Sequence, residues 1–152
     1  MPTKSTRRNT RRTEATVRVQ DASRSRRVPA AARFRAWVRA AASGRTDVTV
    51  RLVGSTEARR LNHCYRGKDY ATNVLTFAYA PGNGDIVLCP PVIGREAREQ
   101  GKPLESHYAH LTVHAILHLR GYDHGLAPDA ARMERAEIRI LKRLGHADPY
   151  VV

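Results

Sequence analysis

Hydrophobic and polar residues alternate in two segments of the first half of the chain, "ATVRVQ" and "DVTVRLV", and this period of two predicts two strands. Between them, "AAARFRAWVRAAA" repeats apolar residues at helical spacing and predicts a helix that ends before Gly44. A second helix is predicted over "TEARRLNHCY", with Ser55 as its N-cap. Two further strands, "NVLTFAYA" and "DIVLC", flank the turn sequence "PGNG".

The second half of the chain is predicted to be mainly helical. We predict a short helix over "VIGREAREQG", a long one over "LESHYAHLTVHAILHLRG" that ends at Gly121, and a last one over "APDAARMERAEIRILKRLG". Because strands come early and helices late, we expect an α+β fold in which helices pack on one face of a small mixed β-sheet. A chain of 152 residues has the length of one domain, which we place at 14–152. Residues 1–13 are Arg-rich and free of acidic residues, which predicts a disordered basic arm.

The charge of the chain is unevenly distributed. Residues 1–68 contain 18 Lys and Arg and 4 Asp and Glu, whereas residues 69–152 contain 9 and 10, and the formal net charge of the chain is +13. A chain with one basic half is expected to bind a polyanion, with nucleic acid preferred over an anionic membrane. No apolar run approaches the roughly 20 residues that span a bilayer, and none is typical of a signal peptide. With two isolated cysteines as reduced thiols, we expect a cytoplasmic protein without membrane contact.

Three histidines lie close together in "HAILHLRGYDH". His114 and His118 are four residues apart on one helical face, and the glycine after them allows a turn that carries His124 back toward that face. Three imidazoles and an open fourth position form the ligand set of a catalytic zinc site. Nickel, copper or iron(II) could use the same nitrogens. His110, one turn earlier, could replace a ligand or lie next to the site.

The same histidine spacing occurs in the metzincin proteases. Those enzymes carry a Glu directly after the first His as general base, whereas this chain has Ala115, so peptide hydrolysis is disfavoured. A metal site that acts on a polyanion instead indicates a nuclease. The sequence leaves the general base open among Asp85, Asp123 and His110.

A second polar segment, "LNHCYRGKDYATNVLTF", precedes the central strand pair. Arg66 could bind a phosphate through two parallel hydrogen bonds while Thr72 and Asn73 fix the loop. An ordinary helix–strand connection, in which Asn73 caps its own backbone, is an equal alternative.

Together, these segments resemble the YbeY family of bacterial rRNA-maturation endoribonucleases. "GDIVLC", "EAREQGKPLESHYAHLTVHAILHLRGYDH" and "LGHADPY" extend the resemblance to roughly residues 48–150, although Ala115 and Thr76 stand where the family usually has Gly and Ser. The resemblance implies a zinc-dependent, single-strand-specific endoribonuclease that forms the 16S rRNA 3′ end and acts in late ribosome quality control. It also implies the ribosome or its small subunit as partner.

The resemblance further assigns roles to individual residues. His114, His118 and His124 would bind one zinc ion, and Arg66 would be a catalytic residue. Two questions stay open. The nucleophile could be water or the RNA 2′-hydroxyl, and the protein could instead be a non-catalytic assembly factor that binds rRNA and uses zinc only to stabilise its fold. Trp37 and Tyr122 could stack on bases or pack in the core.

Overall fold

The computed structural model describes residues 14–151, and every strand and helix predicted from the sequence is present there. The basic arm predicted for residues 1–13 lies outside the described residues. The elements in chain order are β1 (Ala15–Asp21), α1 (Ala31–Ala41), β2 (Thr46–Leu52), α2 (Ser55–Arg66), β3 (Val74–Ala80), β4 (Asn83–Leu88), α3 (Pro90–Gln100), α4 (Leu104–Leu119) and α5 (Ala127–Arg143). The predicted α+β fold class is confirmed.

The four strands form one mixed sheet in the order β1-β2-β4-β3. Strands β1, β2 and β4 are parallel, whereas β3 pairs antiparallel with β4 and forms an edge of the sheet. At Gly84 of β4, a Cβ atom would lie 2.8 Å from the Leu119 side chain and 2.2 Å from the Phe77 carbonyl oxygen. The missing side chain therefore lets the end of α4 approach the sheet closely.

One face of the sheet carries the main hydrophobic core. Helices α1 and α4 cover this face, and Phe34, Trp37 and Tyr108 interlock there with their rings edge to face. Trp37 is only 2% exposed, so it packs in the core and is not available to stack on a base. The alternation of apolar and polar residues along β2 accounts for this apolar face, because Val48 and Val50 both point into the core.

The expectation that all helices pack on one face is wrong for α2. Ala58 and Leu61 of α2 pack with Leu75 and Val87, which project from the opposite face of β3 and β4. Helix α2 thus buries the apolar residues on that face of the sheet. The predicted N-cap is also wrong, because α2 starts at Ser55 itself, Gly54 occupies the N-cap position, and no side chain caps the helix.

Helix α4 lies in the centre of the molecule. Ten of its 16 residues are buried, since it packs against α1, α3, α5 and two strands. A helix that is apolar almost all round belongs in a core, so the polar side chains on its remaining stripe are held in fixed positions. None of the helices in residues 14–151 has both the length and the apolar character that crossing a membrane requires.

Candidate metal centre

His114 and His118 point their Nε2 atoms at each other from successive turns of α4. The two Nε2 atoms are 3.1 Å apart. Each ring is oriented through its other nitrogen, because Nδ1 of His118 donates to the Tyr122 carbonyl oxygen at 3.1 Å and Nδ1 of His114 donates to a Glu137 carboxylate oxygen. Both Nε2 atoms are therefore left with a lone pair, which is the form that binds a metal.

The turn after α4 brings the third histidine to the same place. Gly121 adopts a φ of 94°, in the left-handed region, and the N–H groups of His124 and Gly125 donate to the Asp123 carboxylate at 2.7 and 3.1 Å. The His124 ring centroid lies 4.8 Å from that of His118 and 5.4 Å from that of His114. The loop thus brings His124 next to the two helical histidines, as predicted from the glycine at the end of α4.

The three rings fit one metal ion. Each offers a ring nitrogen, and the three nitrogens lie within 4.8 Å of one another. Ligands of a tetrahedral zinc ion are roughly 3.3 Å apart at the usual bond lengths, close to the 3.1 Å between His114 and His118. Burial lowers the pKa of His118, and the neighbouring His114 and His124 lower it further, so this ring is neutral at pH 7. Two facing lone pairs repel each other, and a shared cation removes that repulsion.

Glu137 of α5 is a residue of this centre that the sequence analysis missed. It is fully buried, and its carboxylate accepts hydrogen bonds from His110, His114 and Tyr150. Burial alone would raise the pKa of Glu137, but these hydrogen bonds lower it to about 2. The carboxylate is thus ionised beside the first histidine. A signal was present in the sequence, since Glu137 lies four residues from both Met133 and Leu141 on the buried stripe of α5.

His110 lies behind the three-histidine cluster and is not part of it. Its Nε2 atom is 2.9 Å from the Glu137 carboxylate and 3.3 Å from the Tyr150 hydroxyl. His110, His114 and Glu137 form a second group with metal-ligand spacing, but that group reuses His114 and includes a fully buried carboxylate. All three members of the group with His118 and His124 line one cleft, whereas His110 lines a separate cleft and Glu137 is fully buried. His110 therefore holds Glu137 in place, which is the neighbouring role that the sequence left open.

The three histidines form one wall of a cleft of about 720 Å³, and Arg66 lies in the same cleft. Residues 74–78 of the edge strand β3 also line this cleft, together with Tyr65, Thr72 and Asn73. Arg66 is the last residue of α2, is exposed, and makes no ion pair with any carboxylate in residues 14–151. Its charge is therefore available for an anion beside the histidines.

Asn73 is held by both of the interactions considered for it. Its side-chain oxygen accepts from the Val74 N–H at 2.7 Å, and its Nδ2 donates to Glu96 at 2.9 Å. Glu96 also contacts Nε2 of the buried His107 at 3.1 Å. Asn73 thus ties the cleft loop to α3 and, through Glu96, to α4.

Of the three candidates for the general base, none is among the described residues that line the cleft, and His110 lines a separate one. Asp85 shares the sheet face of Val87, opposite α4, and accepts a hydrogen bond from Tyr79. Asp123 uses its carboxylate for the loop, and those backbone hydrogen bonds lower its pKa. Among the residues described, none that lines the cleft is an Asp or Glu. Tyr122 is half-buried and packs against the main core, and the guanidinium carbons of Arg120 and Arg132 lie 5.3 and 5.5 Å from its ring centroid.

Comparison with known proteins agrees with this arrangement. The family model described as "Endoribonuclease YbeY" matches residues 12–145 of the chain. This chain belongs to the YbeY endoribonuclease family. The endoribonuclease YbeY of Aromatoleum aromaticum is 57% identical over 127 residues, which are 82% of this chain and 82% of that protein. That of Thiobacillus denitrificans is 54% identical over 142 residues, 90% of this chain and 97% of that protein.

A solved structure supports the fold. The solution structure of a protein from Thermotoga maritima superposes with a TM-score of 0.56 at 24% identity, and the match covers 90% of this chain and 100% of that one. The family that the histidine segment and the Arg66 loop together indicated is confirmed, and with it the class of enzyme, a hydrolase that cleaves RNA.

Proposed function

We propose that this chain is a zinc-dependent, single-strand-specific endoribonuclease of rRNA processing that forms the 16S rRNA 3′ end and acts in late ribosome quality control. The observation that carries the proposal is the cleft in which three histidine rings and an unpaired arginine face one space. Family membership supports the reaction class. The cytoplasm as location and the small ribosomal subunit as partner rest on the same family.

The histidines would bind one zinc ion. His114, His118 and His124 supply three nitrogen ligands, and the cleft beside them leaves room for a fourth ligand. When bound, such an ion polarises a phosphoryl oxygen and lowers the pKa of water. Glu137 keeps the His114 ring in the orientation that exposes Nε2, and Tyr122 does the same for His118 through its carbonyl oxygen.

Arg66 would bind the scissile phosphate. Its planar guanidinium fits two phosphate oxygens and stabilises the negative charge that develops on them during cleavage. Gly67, with a φ of 68°, ends α2 directly after Arg66 and turns the chain into the loop that Asn73 anchors. The arginine thus stands at a helix end with a fixed backbone and a free side chain.

The aromatic residues of the cleft favour a single-stranded substrate. Tyr65 is 68% exposed and lines the cleft, with its ring centroid 5.1 Å from that of Phe77. Exposed aromatic rings beside a basic group bind unpaired bases by stacking, which a duplex does not allow. We therefore assign Tyr65 the role that the sequence analysis considered for Trp37 and Tyr122.

The test compares purified variants on one RNA as a single strand and as a duplex. We expect wild type to cut only the single strand, with about one equivalent of zinc, and Arg66→Glu to lower the rate by about 10²–10³-fold. Arg60→Glu is the matched control, since Arg60 is exposed on the same helix and does not line the cleft. Equal cutting by wild type, Arg66→Glu and His114→Ala would assign the activity to a contaminant and favour the non-catalytic assembly factor.

The product ends decide the nucleophile. No carboxylate among the described cleft residues is available as a base, so the geometry leaves water and the RNA 2′-hydroxyl as alternatives. Attack by water leaves no cyclic phosphate, whereas attack by the 2′-hydroxyl produces a 2′,3′-cyclic phosphate. Mass spectrometry of the fragments from a short RNA distinguishes the two.

A further inference from the structure

A second cleft, of about 710 Å³, is lined by four basic side chains. Arg26 and Arg27 come from the loop between β1 and α1, Arg98 comes from the end of α3, and Lys102 follows that helix. Among residues 14–151, no acidic residue lines this cleft, and none lines both this cleft and the histidine cleft. The three arginines are exposed and make no ion pair within residues 14–151, while Lys102 donates to the Pro149 carbonyl oxygen. Four positive charges are thus held together without a counter-charge.

The loop that carries two of these arginines has a fixed path. The Asp21 carboxylate accepts from the backbone and hydroxyl of Ser23 at 2.9 and 2.7 Å, and the Ser23 hydroxyl accepts from the Ser25 N–H at 3.2 Å. Arg24 adopts a φ of 58°, and Val28 packs against the core. A backbone in the left-handed region at a non-glycine residue persists only where its surroundings specify it. The cations are therefore brought together by the fold and not by free movement of the loop.

Side chains, and not a helix end, would bind a ligand here. The first turn of α3 contains Pro90 and Pro91, which have no N–H, and the N–H groups of Val92 and Ile93 already bond to Cys89. The guanidinium groups are thus the principal donors, and they suit oxygen atoms of phosphate groups.

The composition of the cleft favours a nucleic acid over an acidic protein. None of the large exposed hydrophobic residues in residues 14–151 lines it. Protein–protein interfaces depend on buried apolar or aromatic anchors, whereas interfaces with nucleic acids are polar and strongly positive.

We infer that this basic cleft binds backbone phosphates of the same RNA strand that the histidine cleft cleaves. The inference rests on the proposed function for the identity of the strand. Leu104 lines the basic cleft and His114 the histidine cleft, and their separation along α4 is about 15 Å at 1.5 Å per residue. At the rise of about 3.4 Å per phosphate of a strand with stacked bases, roughly five nucleotides cover this separation. A short RNA therefore reaches one cleft, and a long one reaches both.

The experiment measures binding of a fluorescein-labelled 20-nucleotide single-stranded RNA by anisotropy as a function of salt. The test variant is Arg26→Gln with Arg98→Gln. The control is Arg135→Gln with Arg139→Gln, which removes the same charge from exposed positions of α5 that line neither cleft. We expect the test variant to bind about tenfold more weakly at 0.1 M salt, with the log–log salt slope reduced by about 1.4. The control should bind like wild type, and thermal unfolding should be unchanged in both variants.

A length series separates this inference from the proposed function. Cleavage of a 3-nucleotide RNA, which is too short to span both clefts, should be equal in the test variant and wild type, while kcat/KM on the 20-nucleotide RNA should fall about tenfold. If wild type binds RNA in a way that depends on Arg26 and Arg98 but cuts none, the proposed function fails and the second site stands. If wild type cuts RNA and all variants bind it alike, the second site is overturned. Intact RNA binding with lost binding of a polyglutamate peptide would also overturn it.

Discussion

The histidine cluster has two halves that differ in how they are held. The helical half, His114 and His118, is partly buried on α4, and each ring donates from Nδ1 to a fixed acceptor. The loop half, His124, is exposed, and neither of its ring nitrogens hydrogen-bonds to another residue in the range 14–151. Only its backbone is fixed, through Asp123.

This difference indicates that the helix prepares the site and the loop completes it. A ring whose tautomer and orientation are already set loses little entropy when it binds a metal, whereas a free ring is ordered by the metal itself. The apo protein should therefore keep the helical half in place and lose the position of His124 first.

His114→Ala should have the largest effect. Structural zinc sites bind zinc with a free energy of about 10–16 kcal/mol over four ligands, so one ligand contributes roughly 2.5–4 kcal/mol. We therefore expect the loss of the His114 ring to lower zinc affinity by about a thousandfold. The variant also removes one donor from the buried Glu137, which costs the apo protein about 1–3 kcal/mol of unfolding free energy. Competition with a chromophoric chelator measures the first effect and urea unfolding the second. Unchanged zinc content would contradict the assignment of His114 as a ligand.

His124→Ala should weaken zinc binding less, by about a hundredfold, because water replaces an exposed ligand at low cost. The unfolding free energy of the apo protein should stay within about 0.5 kcal/mol of wild type, as for other surface substitutions. The same two measurements apply. A stability loss equal to that of His114→Ala would show that the two halves are held alike.

Glu137→Gln should lower zinc affinity by roughly thirtyfold without removing a ligand, since changes to a partner of a metal ligand typically cost 10–100-fold. The neutral amide lacks the negative charge with which the carboxylate accepts hydrogen bonds from His110, His114 and Tyr150. The visible spectrum of the cobalt-substituted protein should shift, because the orientation of the His114 ring changes. Glu134→Gln is the control, at an exposed position of the same helix, and an unchanged cobalt spectrum in Glu137→Gln would disprove the positioning role.

Gly121→Ala should have the smallest effect. Nothing lies within 4 Å of the added Cβ, so the cost comes only from the backbone, whose φ of 94° strains any other residue by about 1–2 kcal/mol. We expect zinc affinity to fall several-fold as His124 moves away, while the apo helix keeps His114 and His118 in place. Gly125→Ala, whose Cβ would meet only ordinary contacts with Asp123, should bind zinc normally. Equal effects of the two substitutions would contradict the role of the turn.

Sequence patterns predicted the strands and helices well because each pattern depends only on the geometry of neighbouring residues in the chain. Alternation along β2 and the four-residue spacing along α4 follow from the geometry of a strand and a helix, and Gly121 ends α4 as predicted. Patterns failed where a residue had more than one possible use. Ser55 had the chemistry of an N-cap but lies inside α2, and Asp85 had the chemistry of a base but points to the wrong face of the sheet.

The sequence by itself determined which three histidines form the cluster, because their spacing on one helix and its turn needs no distant contact. It also determined the family, through the histidine segment and the Arg66 loop together. Only the tertiary structure decided what surrounds the three histidines. Glu137 and Tyr150 meet the histidines because α5 and the segment after it pack on α4. Arg66 shares the cleft because α2 packs on β3, whose first residues line that cleft. Such contacts between distant segments arise because apolar faces of helices and strands are buried against each other. Local periodicity indicates which face of an element is apolar, but it does not indicate which other element covers that face.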